Sequence, residues 1–320
     1  MNELMPLENQ LLVTRFSMPV ASGSLISRPR LIDLLNESWK YPLTLVSAAA
    51  GFGKTTLLAN WAQSQQTEGP RVAWVSLEEE NNDPQLFWAY VLTALNRQLP
   101  ERFTSLLTQL QSLQSPPLTA LLAELINLLA EERDDFLLIL DDYHLITEPQ
   151  VHTTLTYLIE HLPTQLRIIV ATRADPVMPL AQLRARQQVL EVRTDQLRCT
   201  PEETRVFLDE VMGIHLPGET IQEITTRMEG WLVGLQLLGL SLPDHVNPEK
   251  LLKEISGDQR YILDYLTEEV LRRQPQQIQT FLLSTCILEQ LTASLCDAVM
   301  GQSGSQQMLQ RLEQTNLFVV

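Results

Sequence analysis

Two glycines, a lysine and two threonines stand together in the run Ala48-Ala49-Ala50-Gly51-Phe52-Gly53-Lys54-Thr55-Thr56. The run follows an apolar, β-prone stretch, Leu43–Ser47, and opens a segment with helical spacing, Thr55–Gln65. Consecutive backbone N–H groups in such a strand–loop–helix turn can wrap a phosphate chain, and the helix N-terminus adds its dipole. Gly51 and Gly53 allow backbone shapes and close approaches that a Cβ would hinder. The lysine contributes a cation on a long stem, and the threonine hydroxyl contributes an oxygen of the kind that Mg²⁺ prefers.

Two more apolar runs end in charged groups. Phe136–Leu140 closes on Asp141-Asp142, and Arg167–Ala171 closes on Thr172-Arg173. Alone, an acid pair at a strand end is a solvated charge and the arginine a strand cap. Together with the loop at 48–56 they read differently. The loop resembles the phosphate-binding loop of P-loop NTPases, with Ala48 where that pattern opens on glycine. The acid pair resembles the Walker B motif. The resemblance implies that Ala49, Ala50, Gly51, Phe52, Gly53, Lys54, Thr55 and Thr56 cradle a nucleotide. Lys54 would then reach the β- and γ-phosphates, and Thr55 and Asp141 would hold Mg²⁺. Asp142 would orient or deprotonate an attacking water. Arg173 would sense the γ-phosphate, on a strand lying between the P-loop strand and the Walker B strand.

These groups need a scaffold that brings several strand ends together. Apolar runs at Leu43–Ser47, Val72–Leu77, Phe136–Asp141, Arg167–Thr172 and Val189–Val192 are short and continuously apolar, which suits a parallel sheet covered on both faces. Helical spacing fills the gaps at Thr55–Gln65, Pro84–Leu99, Leu118–Glu132 and Val151–His161. Alternating strand and helix predicts an α/β domain. After Arg193 the pattern changes. Thr200-Pro201-Glu202-Glu203 reads as an N-cap, a first-turn proline and an acidic first turn. Helical stretches follow at 220–228, 232–242, 249–255, 259–273 and 276–284, with no convincing strand until Asn316–Val320. Asp83-Pro84 also reads as a helix start. Trp88 and Trp231 read as core residues, and Glu78-Glu79-Glu80 as a solvated loop.

Composition narrows the function classes. The chain has 320 residues and 44% apolar side chains, which suits a folded protein of about two domains. Net charge is −16, with 14 basic and 21 acidic residues up to Arg193 and 9 and 18 beyond it. Neither part offers the positive field that a nucleic-acid backbone demands. Apolar runs are far shorter than the ~20 residues that span a bilayer. Cys199, Cys286 and Cys296 are few, odd in number and not spaced as metal ligands, which fits a reducing, cytoplasmic setting.

A wider set of motifs resembles the STAND signal-transduction ATPases, and more narrowly the ATPase module of MalT-like LuxR-family transcription activators. Leu25-Ile26-Ser27-Arg28-Pro29-Arg30-Leu31 resembles the segment that borders the adenine, so Arg28 is a candidate contact. Trp74-Val75-Ser76-Leu77, Asn82-Asp83-Pro84 and Phe87-Trp88 resemble the second strand and following helix. Thr172-Arg173-Ala174-Asp175-Pro176 resembles the sensor strand and its exit. Glu229-Gly230-Trp231-Leu232 stands where the family carries a Gly-x-Pro segment, with Leu232 in place of the adenine-packing proline. The resemblance implies an AAA+/STAND-like P-loop NTPase sheet flanked by helices. It divides the chain into a nucleotide-bordering segment (1–39), a nucleotide-binding domain (40–193), a helical domain (194–274) and the start of a winged-helix domain (275–320).

It further implies an ATP/ADP- and Mg²⁺-dependent switch of slow turnover, with ATP–Mg²⁺ lying between the sheet and the helical domain. Self-association would follow ATP binding. An inducer and DNA would bind regions absent from this chain, the DNA through a C-terminal helix-turn-helix, and no membrane is involved. Two rivals stay open: an interaction module that holds nucleotide without significant hydrolysis, and a continuously cycling AAA-type ATPase.

Overall fold

The computed structural model describes residues 11–19, 26–65, 69–112, 116–240, 264–288 and 290–314. The helical expectation at 249–255, the first five residues of that at 259–273 and the terminal strand at 316–320 lie outside the described residues. By contacts the chain forms two units. The first takes the described residues among 11–19, Pro29–Ser47 and Lys54–Arg193. The second gathers described residues 26–28, Ala48–Gly53 and those from Thr194 onward.

The first unit is built on five parallel strands: β1 (Leu43–Ser47), β2 (Arg71–Ser76), β3 (Phe136–Asp141), β4 (Leu166–Thr172) and β5 (Val189–Arg193), in the order β2-β3-β4-β1-β5. β4 therefore lies between β1 and β3, as expected of the arginine-ended strand. Register sets Ser47 of β1 beside Thr172 of β4, and Ser76 of β2 beside Asp141 of β3. Every residue of β1 and β3 is buried, which is why these strands read as unbroken apolar runs rather than alternating ones.

The helices of this unit are α1 (Pro29–Asn36), α2 (Lys54–Gln65), α3 (Pro84–Gln98), α4 (Thr104–Gln111), α5 (Leu118–Ala130), α6 (Pro149–Glu160) and α7 (Leu180–Ala185). Asp83 caps α3 by accepting from the Gln85 and Leu86 amides at 2.8 and 3.0 Å, with Pro84 in the first turn. The α3 side chains Phe87, Trp88, Val91 and Leu95 are buried in the same core as β1 and β3. The Trp88 indole N–H donates to Thr154 Oγ1 on α6 at 3.0 Å, so this buried donor is satisfied. Truncating such a ring to alanine costs about 3–5 kcal/mol.

Glu78 and Glu80 are not merely solvated. Both carboxylates pair with Arg15, whose side chain is only 4% exposed. Arg15 also donates to Asn81 Oδ1 at 3.3 Å and lies 5.1 Å from the Tyr90 ring centre. This cluster pins the short 3₁₀ turn Val13–Phe16 to the first unit.

The second unit is helical in its described residues: α8 (Thr194–Leu197), α9 (Pro201–Val206), α10 (Gly218–Arg227), α11 (Leu232–Leu240), α12 (Gln276–Thr285), α13 (Ala293–Met300) and α14 (Ser305–Gln314). Thr200 and Glu203 form a reciprocal capping box, at 3.2 Å for the Glu203 amide and 3.0 Å for the Thr200 amide. α9 runs on into a π-helical turn, Phe207–Val211, a feature without a sequence signature here. No described helix is long and apolar enough to cross a membrane.

Candidate functional site

β1 ends at Ser47, and the loop Ala48–Gly53 leads into α2 at Lys54. Gly51 and Gly53 both adopt positive φ, +84° and +77°, the region where an L side chain is strained. Within the second unit, the loop is tied to the start of α11. The Trp231 indole N–H donates to Ala50 O at 3.0 Å, and the Val233 amide donates to Gly51 O at 3.0 Å. A Cβ on Gly51 would fall 2.4 Å from Trp231 Nε1, and one on Gly53 would fall 3.0 Å from Leu232 Cδ2. Ala49, Ala50 and Phe52 are buried, whereas Thr56 is exposed on α2.

In the first unit, four charged groups gather at the ends of β3 and β4 and the start of α2. Lys54 is 9% exposed. Burial pushes its ammonium down to about 8, and the neighbouring Arg173 charge adds to this while Asp142 and Asp141 oppose it. Thr55 Oγ1 donates to Asp141 Oδ1 at 3.1 Å. Asp141 is buried at the end of β3, and burial pushes its carboxyl up to about 6, with the Asp142 charge contributing. Asp142 leaves the strand in a left-handed conformation, φ +57°, which aspartate tolerates better than most residues. Its side chain is 44% exposed. The next residue, Tyr143, is anchored by a buried hydrogen bond to His152 Nδ1 at 2.9 Å. The turn after β4 is set by Thr172, whose hydroxyl donates to Ala174 O at 2.6 Å and places half-buried Arg173 at the strand exit.

Lys54, Thr55, Asp141, Asp142 and Arg173 are thus brought together. Arg28 is committed elsewhere in the second unit. Its guanidinium donates to Leu197 O at 2.7 Å and Arg198 O at 3.0 Å, and pairs with buried Glu203 at 3.2 Å. Leu232 opens α11 and packs with Phe207, Leu208 and Leu235. Arg184 is spent on Glu191, with bonds of 3.0 and 2.8 Å. Trp231 was expected only to fill the core; its hydrogen bond to the loop had no signal in its residue type.

The arrangement fits a Mg²⁺-bound polyphosphate. Two cations, Lys54 and Arg173, repel one another, and an anion would relieve both. The buried Asp141 carboxylate beside Thr55 Oγ1 is a pair of hard oxygens whose excess negative charge a divalent cation would relieve.

Residues 40–177 match an AAA domain family, and residues 267–320 match the MalT winged helix domain family. Over 311 residues the chain is 32% identical to the HTH-type transcriptional regulator MalT of Serratia proteamaculans, an alignment that takes in 97% of this chain. Nearly the whole chain is thus similar to part of a MalT regulator. It spans about a third of that relative's length, 34%. The chain is also similar in fold to the Walker-type ATPase of Pyrococcus abyssi, with a TM-score of 0.58 at 16% identity, covering 91% of this chain and 90% of that one. The parallel sheet, the AAA domain and the winged helix domain agree with the fold class expected from the sequence.

Proposed function

We propose that this module binds ATP with Mg²⁺, hydrolyses it slowly, and serves as the nucleotide-dependent switch of a cytoplasmic MalT-like, STAND-class regulator. One observation carries the reading. A buried lysine and an arginine converge with a hydroxyl and two carboxylates at neighbouring strand ends and the start of α2.

Bound Mg²⁺–ATP supplies an activated γ-phosphoryl group. Lys54 offsets charge on its phosphates, and burial strengthens that attraction. Thr55 and Asp141 offer the oxygens that hold the metal. Asp142, half-buried at the end of β3, would align a water with the phosphoryl group and accept its proton as the bond to the ADP leaving group breaks. Arg173 contacts the γ-phosphate, so ATP and ADP differ in how they bias the conformations of the chain. A DNA-binding helix-turn-helix outside this chain would complete the switch, by analogy with the relative's name; self-association in the ATP state and an inducer site belong to the same proposal and rest on the family resemblance alone.

The deciding test is Lys54→Ala with differential scanning fluorimetry. Wild-type protein is expected to melt higher with Mg²⁺–ATP, and the variant to show no shift. An unchanged shift in the variant would defeat the phosphate-loop reading.

A further inference from the structure

The two carbonyls that α11 captures decide where the loop's amides point. A trans peptide is planar, so a carbonyl and the following N–H face opposite ways. With Ala50 O held by the Trp231 indole at 3.0 Å, the Gly51 N–H is turned away from Trp231. With Gly51 O held by the Val233 amide at 3.0 Å, the Phe52 N–H is turned away from α11 as well. Successive amides face one concavity when the backbone between them changes hand, and Gly51 supplies that change with φ +84°.

The indole is itself held rigidly. It is 7% exposed and packs against Tyr265, ring centres 5.6 Å apart. Glycines flank it: a Cβ on Gly51 would sit 2.4 Å from Nε1, and a Cβ on Gly234 would sit 2.3 Å from Cε3. A ring fixed in this way carries no mobile tail to reorder on binding. The Val233 amide is one of the donors that the first turn of α11 cannot satisfy internally, so Gly51 O closes that deficit too.

We propose that Trp231 is a positioning residue for phosphate binding. Its indole N–H, together with the Val233 amide, holds the 50–51 and 51–52 peptide planes so that the Gly51 and Phe52 amides face the polyphosphate tail. This rests on the reading of residues 48–56 as a phosphate loop. The cost of orienting these dipoles is met on folding, so none of it is charged to the ligand.

Calorimetric titration of the full chain with ATP, tripolyphosphate and adenosine tests the proposal in wild type and Trp231→Phe, which keeps an aromatic ring and loses the donor. ATP and tripolyphosphate are expected to bind roughly tenfold more weakly to the variant, with adenosine affinity unchanged. Unchanged tripolyphosphate affinity, or an equal loss for adenosine, would overturn the positioning role. A wild-type chain with no affinity for tripolyphosphate would instead fail the phosphate-loop reading itself.

A second readout is taken on the wild-type chain. Coupling is reciprocal, so tripolyphosphate must slow hydrogen exchange at the Trp231 indole N–H, followed by ¹⁵N-indole NMR. The signal is identified by substituting Trp39, Trp61, Trp74 and Trp88 one at a time. Exchange at Trp231 that is indifferent to tripolyphosphate would overturn the proposal.

Discussion

The two units organise their share of the loop chemistry in different ways. In the first, side chains meet side chains: Thr55 on Asp141, Lys54 among Asp141, Asp142 and Arg173. In the second, side chains and amides meet main-chain carbonyls: Trp231 on Ala50, Val233 on Gly51, Arg28 on Leu197 and Arg198. One half carries charge, the other carries shape. Deleting a charge should alter ligand binding or turnover while the fold persists. Deleting a carbonyl's partner should alter the backbone, and ligand affinity only through it.

The sharpest break of that contrast is Asp142→Asn. Asparagine also tolerates the left-handed conformation seen at φ +57°, so the turn survives while the proposed base is lost. ATP turnover is expected to fall at least about 100-fold with ATP affinity little changed. Unchanged phosphate release would favour a module that holds nucleotide without hydrolysing it. Arg28→Gln probes the shape half. It strands Glu203, 8% exposed, without its cation. Breaking a buried pair costs about 3–5 kcal/mol, so the melting temperature should drop by roughly ten degrees. At temperatures where the variant is folded, ATP affinity should stay within about threefold of wild type, because the guanidinium is spent on carbonyls. A selective loss of ATP affinity with normal melting would return Arg28 to the adenine border.

What could be read from sequence follows the same division. The charge half was legible because each of its residues ends a run with a strong period. The apolar runs of β1 and β3 are unbroken since both faces are covered, and the acids and Arg173 sit where those runs stop. Boundaries shifted by a residue, as at β2, where Arg71 pairs across to Phe136. α4 was missed because Thr104, Ser105 and Thr108 dilute its helical signal, although Leu106, Leu107 and Leu110 are buried. The shape half was hardly legible. Trp231 meets a carbonyl 181 residues away, and an indole looks the same in a sequence whether it packs as hydrocarbon or donates a proton. Arg15 was silent for the same reason, its acidic partners lying 63 and 65 residues downstream.

Arg173→Ala sharpens the charge half further. Arg173 lies near enough to lower the Lys54 pKa, so its removal takes away one cation and relieves a repulsion. ATP affinity should fall roughly tenfold while ADP affinity changes little, since only ATP carries the γ-phosphate. Competition binding of the two nucleotides reads the ratio directly, and an equal loss for both would remove the sensor role.

The smallest expected effect is the most diagnostic of why the charge half needs its ligand. Asp141 titrates at about 6 instead of its ordinary 3.8 because it is buried beside Asp142. A raised carboxyl pKa favours the folded state fully below the ordinary value. That advantage is lost as pH rises through about 6, above which the buried charge is a constant cost. Asp141→Asn removes the charge and keeps an oxygen for Thr55. The ligand-free variant should therefore melt a few degrees above wild type at pH 7.5, a gain of at most about 3 kcal/mol. The gap should close as pH falls from about 6 towards 4, where the wild-type carboxyl takes up its own proton. Lys54 runs the other way, its advantage lost as pH falls through about 8, so it contributes no comparable change between pH 6 and 4. Mg²⁺–ATP should invert the ranking of the two proteins at pH 7.5, because the carboxylate that destabilises the free chain is the one proposed to hold the metal. A variant that is no more stable without ligand, or that gains as much as wild type from Mg²⁺–ATP, would show that Asp141 is not the strained half of a metal site.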